Sequence, residues 1–247
     1  MRRALLAISF LSAAFLIALS VTACSSSDDK SVDDTARSIS DQDLAQMILR
    51  LEQFPLEYQG FHASDKNGVR TLEVQVASAF DPDRTRSRLE KFGFASSYDA
   101  SYSNPLFDSK SPGVITVDSE VDLFQTADGA AGDFDQSSRD LQDEIGKTKG
   151  EVTVNSAQLS PHELADQAWA GRYEVSVRRN DGSDLGLTIL QTAFRRGRLE
   201  CVVTVNTFGL TEAEQGRLEG RVKDLARQLN DQITHVLSSA VAPSATG

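Results

Sequence analysis

The chain has 247 residues, 40% of them hydrophobic, enough for one large domain or two small ones. Its 36 acidic side chains outnumber 25 basic ones, giving a formal net charge of −11. That balance argues against nucleic acid as a partner and against broad electrostatic adhesion to anionic lipid.

Residues 1–23 read as an export signal. Arg2 and Arg3 give a positive start, and Ala4 to Val21 is an apolar run broken only by Ser9, Ser12 and Ser20. A run of about 18 residues is near the lower limit for a membrane span. Ser25 to Asp29 offers no positive flank of the stop-transfer kind, so the span reading gives way to a signal peptide. Val21-Thr22-Ala23-Cys24 at the end of this run resembles the bacterial lipobox. The resemblance implies a diacylglyceryl group in thioether linkage to Cys24 and cleavage just before it, so that the mature chain runs from 24 to 247. Each buried methylene contributes roughly 0.8 kcal/mol, so two or more long chains hold where one would not. The membrane is then a partner through that lipid. The only other cysteine, Cys201, is left without an intramolecular disulfide, which an exported chain of this size does not need.

Residues 24–39 are small, polar and acidic, with Val32 and Ile39 as the sizeable apolar residues. They read as a disordered tether spanning roughly 20–25 Å. The folded body is expected over 40–238 as a single domain, with a frayed tail at 239–247. Leu44, Met47, Ile48 and Leu51 fall on one helical face, Ser40 or Asp41 can cap that helix, and Pro55 ends it. Residues 69–80 alternate at Leu72, Val74 and Val76, which predicts a strand, with a short helix as the alternative. Asp81-Pro82 opens a helix that Gly93 stops. Residues 94–105 read as an exposed strand or long loop. Residues 113–124 read as a β-branched strand with a bulge or kink at Asp118 to Glu120. A helix over 127–147 is expected to bury Ala130, Ala131, Phe134, Leu141 and Ile145.

The pattern sharpens from Glu151. Residues 151–159 suit a short strand, and 163–171 suit either a helical turn or the entry to a strand. Tyr173, Val175 and Val177 then alternate with polar residues, "NDGS" at 180–183 turns the chain, and strands follow over 187–194 and 199–208. Thr211 and Glu214 form a capping box ahead of Leu218, Val222, Leu225, Leu229 and Ile233, a stripe that must lie on an apolar sheet face. The predicted fold class is α+β: a mostly antiparallel sheet of five or six strands with helices packed on it, and a C-terminal amphipathic helix across the sheet.

Chemistry is sparse. No G-x-S-x-G, H-E-x-x-H, P-loop or G-x-G-x-x-G motif occurs, so no catalytic residue, metal site or cofactor is predicted. His62, His162 and His235 lie far apart in sequence, and Cys201, between apolar neighbours, reads as a buried small hydrophobe. Two binding candidates remain. Arg172, Arg195, Arg196 and Arg198 fall at one end of the predicted meander and suit carboxylate or phosphate groups. Tyr98 and Tyr102, with the single Trp169, are candidates to line a ligand groove.

"VDLFQTADGAAGDF" (121–134) followed by "TAFRRGRLECVVTV" (192–205), within the α+β layout, resembles PsbP-like/Mog1-like lipoproteins and the extracytoplasmic sensor domains of mycobacterial receptor kinases. The chain departs from the kinase sensors in lacking paired cysteines. The resemblance implies a non-enzymatic binding, sensing or accessory module on the outer face of the cytoplasmic membrane, or on an outer membrane where there is one. The alternatives are a carrier of a lipid or other apolar ligand and, third, a cell-envelope hydrolase. An envelope protein or a lipid is the expected further partner.

Overall fold

The computed structural model describes residues 38–239. The predicted signal segment, Cys24, most of the predicted tether and the tail beyond Ser239 lie outside the described residues. Ile39, assigned from sequence to the tether, is buried and belongs to the core.

Among the described residues, five α-helices and nine strands follow in the order α1 (Asp41–Met47), β1 (His62–Ala63), β2 (Gly68–Arg70), α2 (Leu72–Ser78), α3 (Pro82–Phe92), β3 (Phe94–Ser103), β4 (Gly113–Phe124), α4 (Ala127–Gln142), β5 (Thr148–Lys149), β6 (Val152–Pro161), β7 (Gln167–Arg178), β8 (Asp184–Arg196), β9 (Leu199–Phe208) and α5 (Glu212–Ser239). The strands form one antiparallel sheet in the order β1-β3-β4-β9-β8-β7-β6-β5, with β2 also paired to β3. The α+β class stands. The strand number exceeds expectation because β1, β2 and β5 are too short to carry a periodic signal.

Local chemistry sets the helix starts. The Ser40 and Asp43 side chains each accept from the other's backbone N–H, at 3.2 and 2.8 Å. Asp81 caps α3 by accepting from the Arg84 N–H at 3.2 Å, and Gly93 ends α3 at φ 72°. Thr211 and Glu214 close the same reciprocal box at the head of α5. Four expectations need correction. The first helix ends at Met47 rather than running to Pro55, and 3-10 turns at Leu51–Gln53 and Leu56–Tyr58 carry the chain on. Over 69–80 the strand gives way to its stated alternative, a short helix at 72–78, while Gly68–Arg70 pair as a strand. The irregularity in β4 falls between Val114 and Thr116, while Asp118 to Glu120 continue the ladder. Ile145 lies beyond α4 and is 41% exposed.

The sheet is covered on both faces. On one, Leu218, Val222, Leu225, Leu229 and Ile233 of α5 pack with Leu44 and Met47 of α1 against Val117, Val121, Leu190, Phe194, Cys201, Val203 and Val205. On the other, Phe134 of α4 packs with Ile115, Trp169, Tyr173, Ile189, Ala193 and Val202. Leu89 of α3 and Ala130 of α4 extend this layer over Phe94 and Phe124. Two-residue alternation explains the division: odd positions of β9 face α5 and even positions face α4.

Candidate functional site

The predicted aromatic groove does not form. Tyr98 and Tyr102, four residues apart on β3, share the α5 face. Tyr102 is buried, donates its hydroxyl to the Leu49 carbonyl at 3.2 Å and sets its ring edge-on to Phe54 with centroids 5.5 Å apart. Trp169 is buried on the opposite face, in the cluster around Tyr173.

The arginine cluster does not form either. β7 begins at Gln167, five residues earlier than the alternation suggested, so Arg172 is mid-strand opposite Leu190. Arg195 holds Gln167 at 2.9 Å and Asp166 at 3.1 Å. Arg196, on the other face, donates to Asn230 of α5 at 2.9 Å. Arg198 sits in the turn between β8 and β9. Cys201 is fully buried, as its surroundings predicted. Among the described residues no group of three His, Cys, Asp or Glu side chains is placed to hold a metal ion.

Sequence reasoning missed a buried ionic layer on the α4 face. Asp118, Glu120 and Asp122 alternate with Ser119 and Val121 along β4. They meet Asp99 of β3, Glu200 of β9 and Asp133 of α4, with Arg70 of β2 and Arg88 of α3 as the counter-charges. Arg70 pairs with Asp99, and Arg88 Nε lies 3.2 Å from Asp133 Oδ1. Gln75 of α2 bridges Ser97, Glu120 and Asp122 at 3.0, 2.6 and 3.2 Å. Thr116 and Asn206 donate to Asp118 Oδ2 at 3.0 and 3.1 Å.

Six carboxyls with two guanidiniums cannot all be ionised out of water. Burial pushes every one of the six upward, Asp118 to about 7. Repulsion adds to this at Asp99, Asp122 and Glu200. Asp133 and Glu200 act on each other, as do Glu120 and Asp122, so the members of each pair do not titrate independently. The layer ties β2, α2, α3 and α4 to the sheet. Its signal was present in the sequence as Asp118, Glu120 and Asp122 at period two, opposite Val117, Val121 and Leu123.

Among the described residues, two of the surface grooves are open to ligands. One, about 320 Å³, lies at the head of α5 between Tyr58, Phe61, Leu210 and Leu218, with Arg217 and with Arg221, which pairs with Glu57. The other, about 190 Å³, lies where the flank of α5 meets β6 and β7 and contains Arg172. Of the predicted site residues, Arg172 lines one of these two grooves.

Comparison with known proteins adds little. No family model matches the chain, and no curated protein matches it. Among solved structures, the chain is similar to the extracellular domain of PknH from Mycobacterium tuberculosis. The identity is 13% and the TM-score 0.46, over 82% of this chain and 98% of that one.

Proposed function

We propose that the chain is a lipoprotein held to the outer face of the cytoplasmic membrane through Cys24, and that its folded body is a non-enzymatic binding or accessory module. The anchor rests on the apolar run ending in Val21-Thr22-Ala23-Cys24. No helix among the described residues is long and apolar enough to cross a membrane.

The observation that favours a module over a lipid carrier is the filled space under α5. Leu225, Leu229 and Ile233 are at most 4% exposed, and the sheet residues they meet, Leu190, Phe194 and Val203, are fully buried. A carrier needs a large apolar cavity at such a place, and here protein side chains occupy it. Binding then falls to the surface grooves.

The anchor is tested by Cys24→Ala. The variant is expected to leave the membrane fraction for the soluble extracytoplasmic fraction, read by fractionation and immunoblot. Retention of a variant whose signal has been cleaved overturns the lipid anchor. N-terminal sequencing identifies that cleavage.

A further inference from the structure

The groove beside α5 has the properties of a site. α5 lies over β8 and β9, so part of the neighbouring face of β6 and β7 is left open to the groove. The alternation that buries Trp169, Tyr173 and Val175 on the α4 side places Ala170, Arg172 and Glu174 on this one. Gln158 and Ser160 of β6 form one wall, Glu219 and Lys223 of α5 the other, and Arg172 and Thr192 lie between them. About 190 Å³ is below the roughly 300–1,000 Å³ of drug-sized pockets, so the occupant is small.

Three observations set its chemistry. Lys223 has no ion pair among the described residues, in a chain of net charge −11. Arg172 reaches Glu174 through Nε alone, at 3.1 Å, and its terminal nitrogens make no hydrogen bond among the described residues. Thr192 is 1% exposed, and its Oγ1 has no hydrogen-bond partner among the described residues. A buried hydroxyl left unmatched is costly, and a ligand acceptor would relieve it. Lys223 also acts on its surroundings: after burial, it and Arg227 are the influences that hold the nearby His162 imidazole below its ordinary pKa.

We propose that this groove binds a small oxyanion, a carboxylate or a phosphate ester, between Lys223 and Arg172, with Thr192 donating a hydrogen bond to it. Charge-assisted donors on two sides and a neutral hydroxyl below are what such a group requires. Glu219 on the rim selects against highly charged anions and accepts from a hydroxyl on the same ligand. The inference rests on reading the chain as a binding module. It fails independently of the anchor, which Cys24→Ala tests.

The test is isothermal titration of the full chain in detergent micelles with glucuronate and with inorganic phosphate. At least one probe is expected to saturate, and which one does distinguishes a carboxylate source from a phosphate source. Lys223→Glu should weaken it at least tenfold, while Arg217→Glu, in the other groove, should leave it within twofold. Thr192→Val should weaken binding severalfold yet raise the Tm of the unliganded protein, because it removes an unmatched hydroxyl. Failure of both probes to bind, an unchanged affinity in Lys223→Glu, or equal loss in Arg217→Glu overturns the site.

Discussion

Asp118 concentrates the energetics of the ionic layer in one side chain. It sits in mid-sheet, accepts from Thr116 and Asn206, and burial pushes its pKa from 3.8 to about 7. Because the native carboxyl holds its proton to higher pH than the unfolded one, the native state binds more protons between these values. Its contribution to stability is therefore greatest near and below pH 4 and is lost as pH rises through 7. This one group implies a loss of roughly 3 kcal/mol between pH 5 and 8. The other five raised carboxyls act in the same direction. His162, whose pKa is lowered by burial, acts in the opposite direction as a single group. The lowered carboxyls of Asp81, Asp181, Glu73 and Glu214 matter only below about pH 5, outside this range. We expect calorimetric Tm to fall by roughly 5–10 °C from pH 5 to pH 8. Asp118→Asn, which keeps an acceptor for Thr116 and Asn206 but cannot ionise, should raise Tm at pH 8 and leave it nearly unchanged at pH 5. A wild-type Tm that is flat or rising over this range contradicts the picture. At this scale the sequence disclosed Cys201 and the α5 stripe, whose burial follows from composition and period alone. Arg172 was misplaced because its position depends on where β7 starts, and Trp169 because its face depends on strand parity.

Among the elements, α3 and α4 cross closely. Gly129 lets α4 approach the end of α3 so closely that a Cβ there would strike the Phe92 carbonyl, and one at Gly132 would strike the Phe92 ring. The ring can turn, but the carbonyl belongs to the backbone. Gly129→Ala is therefore expected to destabilise by roughly 1–3 kcal/mol, read by urea unfolding, in spite of alanine's better helix propensity. Stabilisation would show that the two helices are not held so close. Caps and stops were the most legible features: Ser40, Asp81-Pro82, Gly93 and Thr211 each mark a helix limit through local hydrogen bonds or backbone freedom. Residues 72–78 were not, since Leu72, Val74 and Val76 satisfy a two-residue period by chance. Their helix is fixed by Gln75 reaching the carboxylates of β4. Asp118 to Glu120 read as a break because charge inside a strand is unexpected without its distant partners, Arg70 and Arg88.

In the whole molecule, the two faces of the sheet carry different chemistry. The α5 face is apolar and filled, with an open polar groove at its flank. The α4 face joins apolar packing to an ionic layer that locks three helices in place. Neither face offers a lipid-sized void beneath its helices in the clusters that fill them, which is the basis for a surface-binding module rather than a carrier. The α+β class and the C-terminal helix across the sheet followed from periodicity. The grooves did not, because they are defined by where a helix stops covering strands that are distant in sequence. Native mass spectrometry of the protein purified from its own membrane tests the central claim in one measurement. The account predicts a chain beginning at Cys24, carrying covalent diacylglyceryl mass and no retained non-covalent lipid. A chain that keeps residues 1–23, or a folded body that holds a stoichiometric lipid, would contradict it.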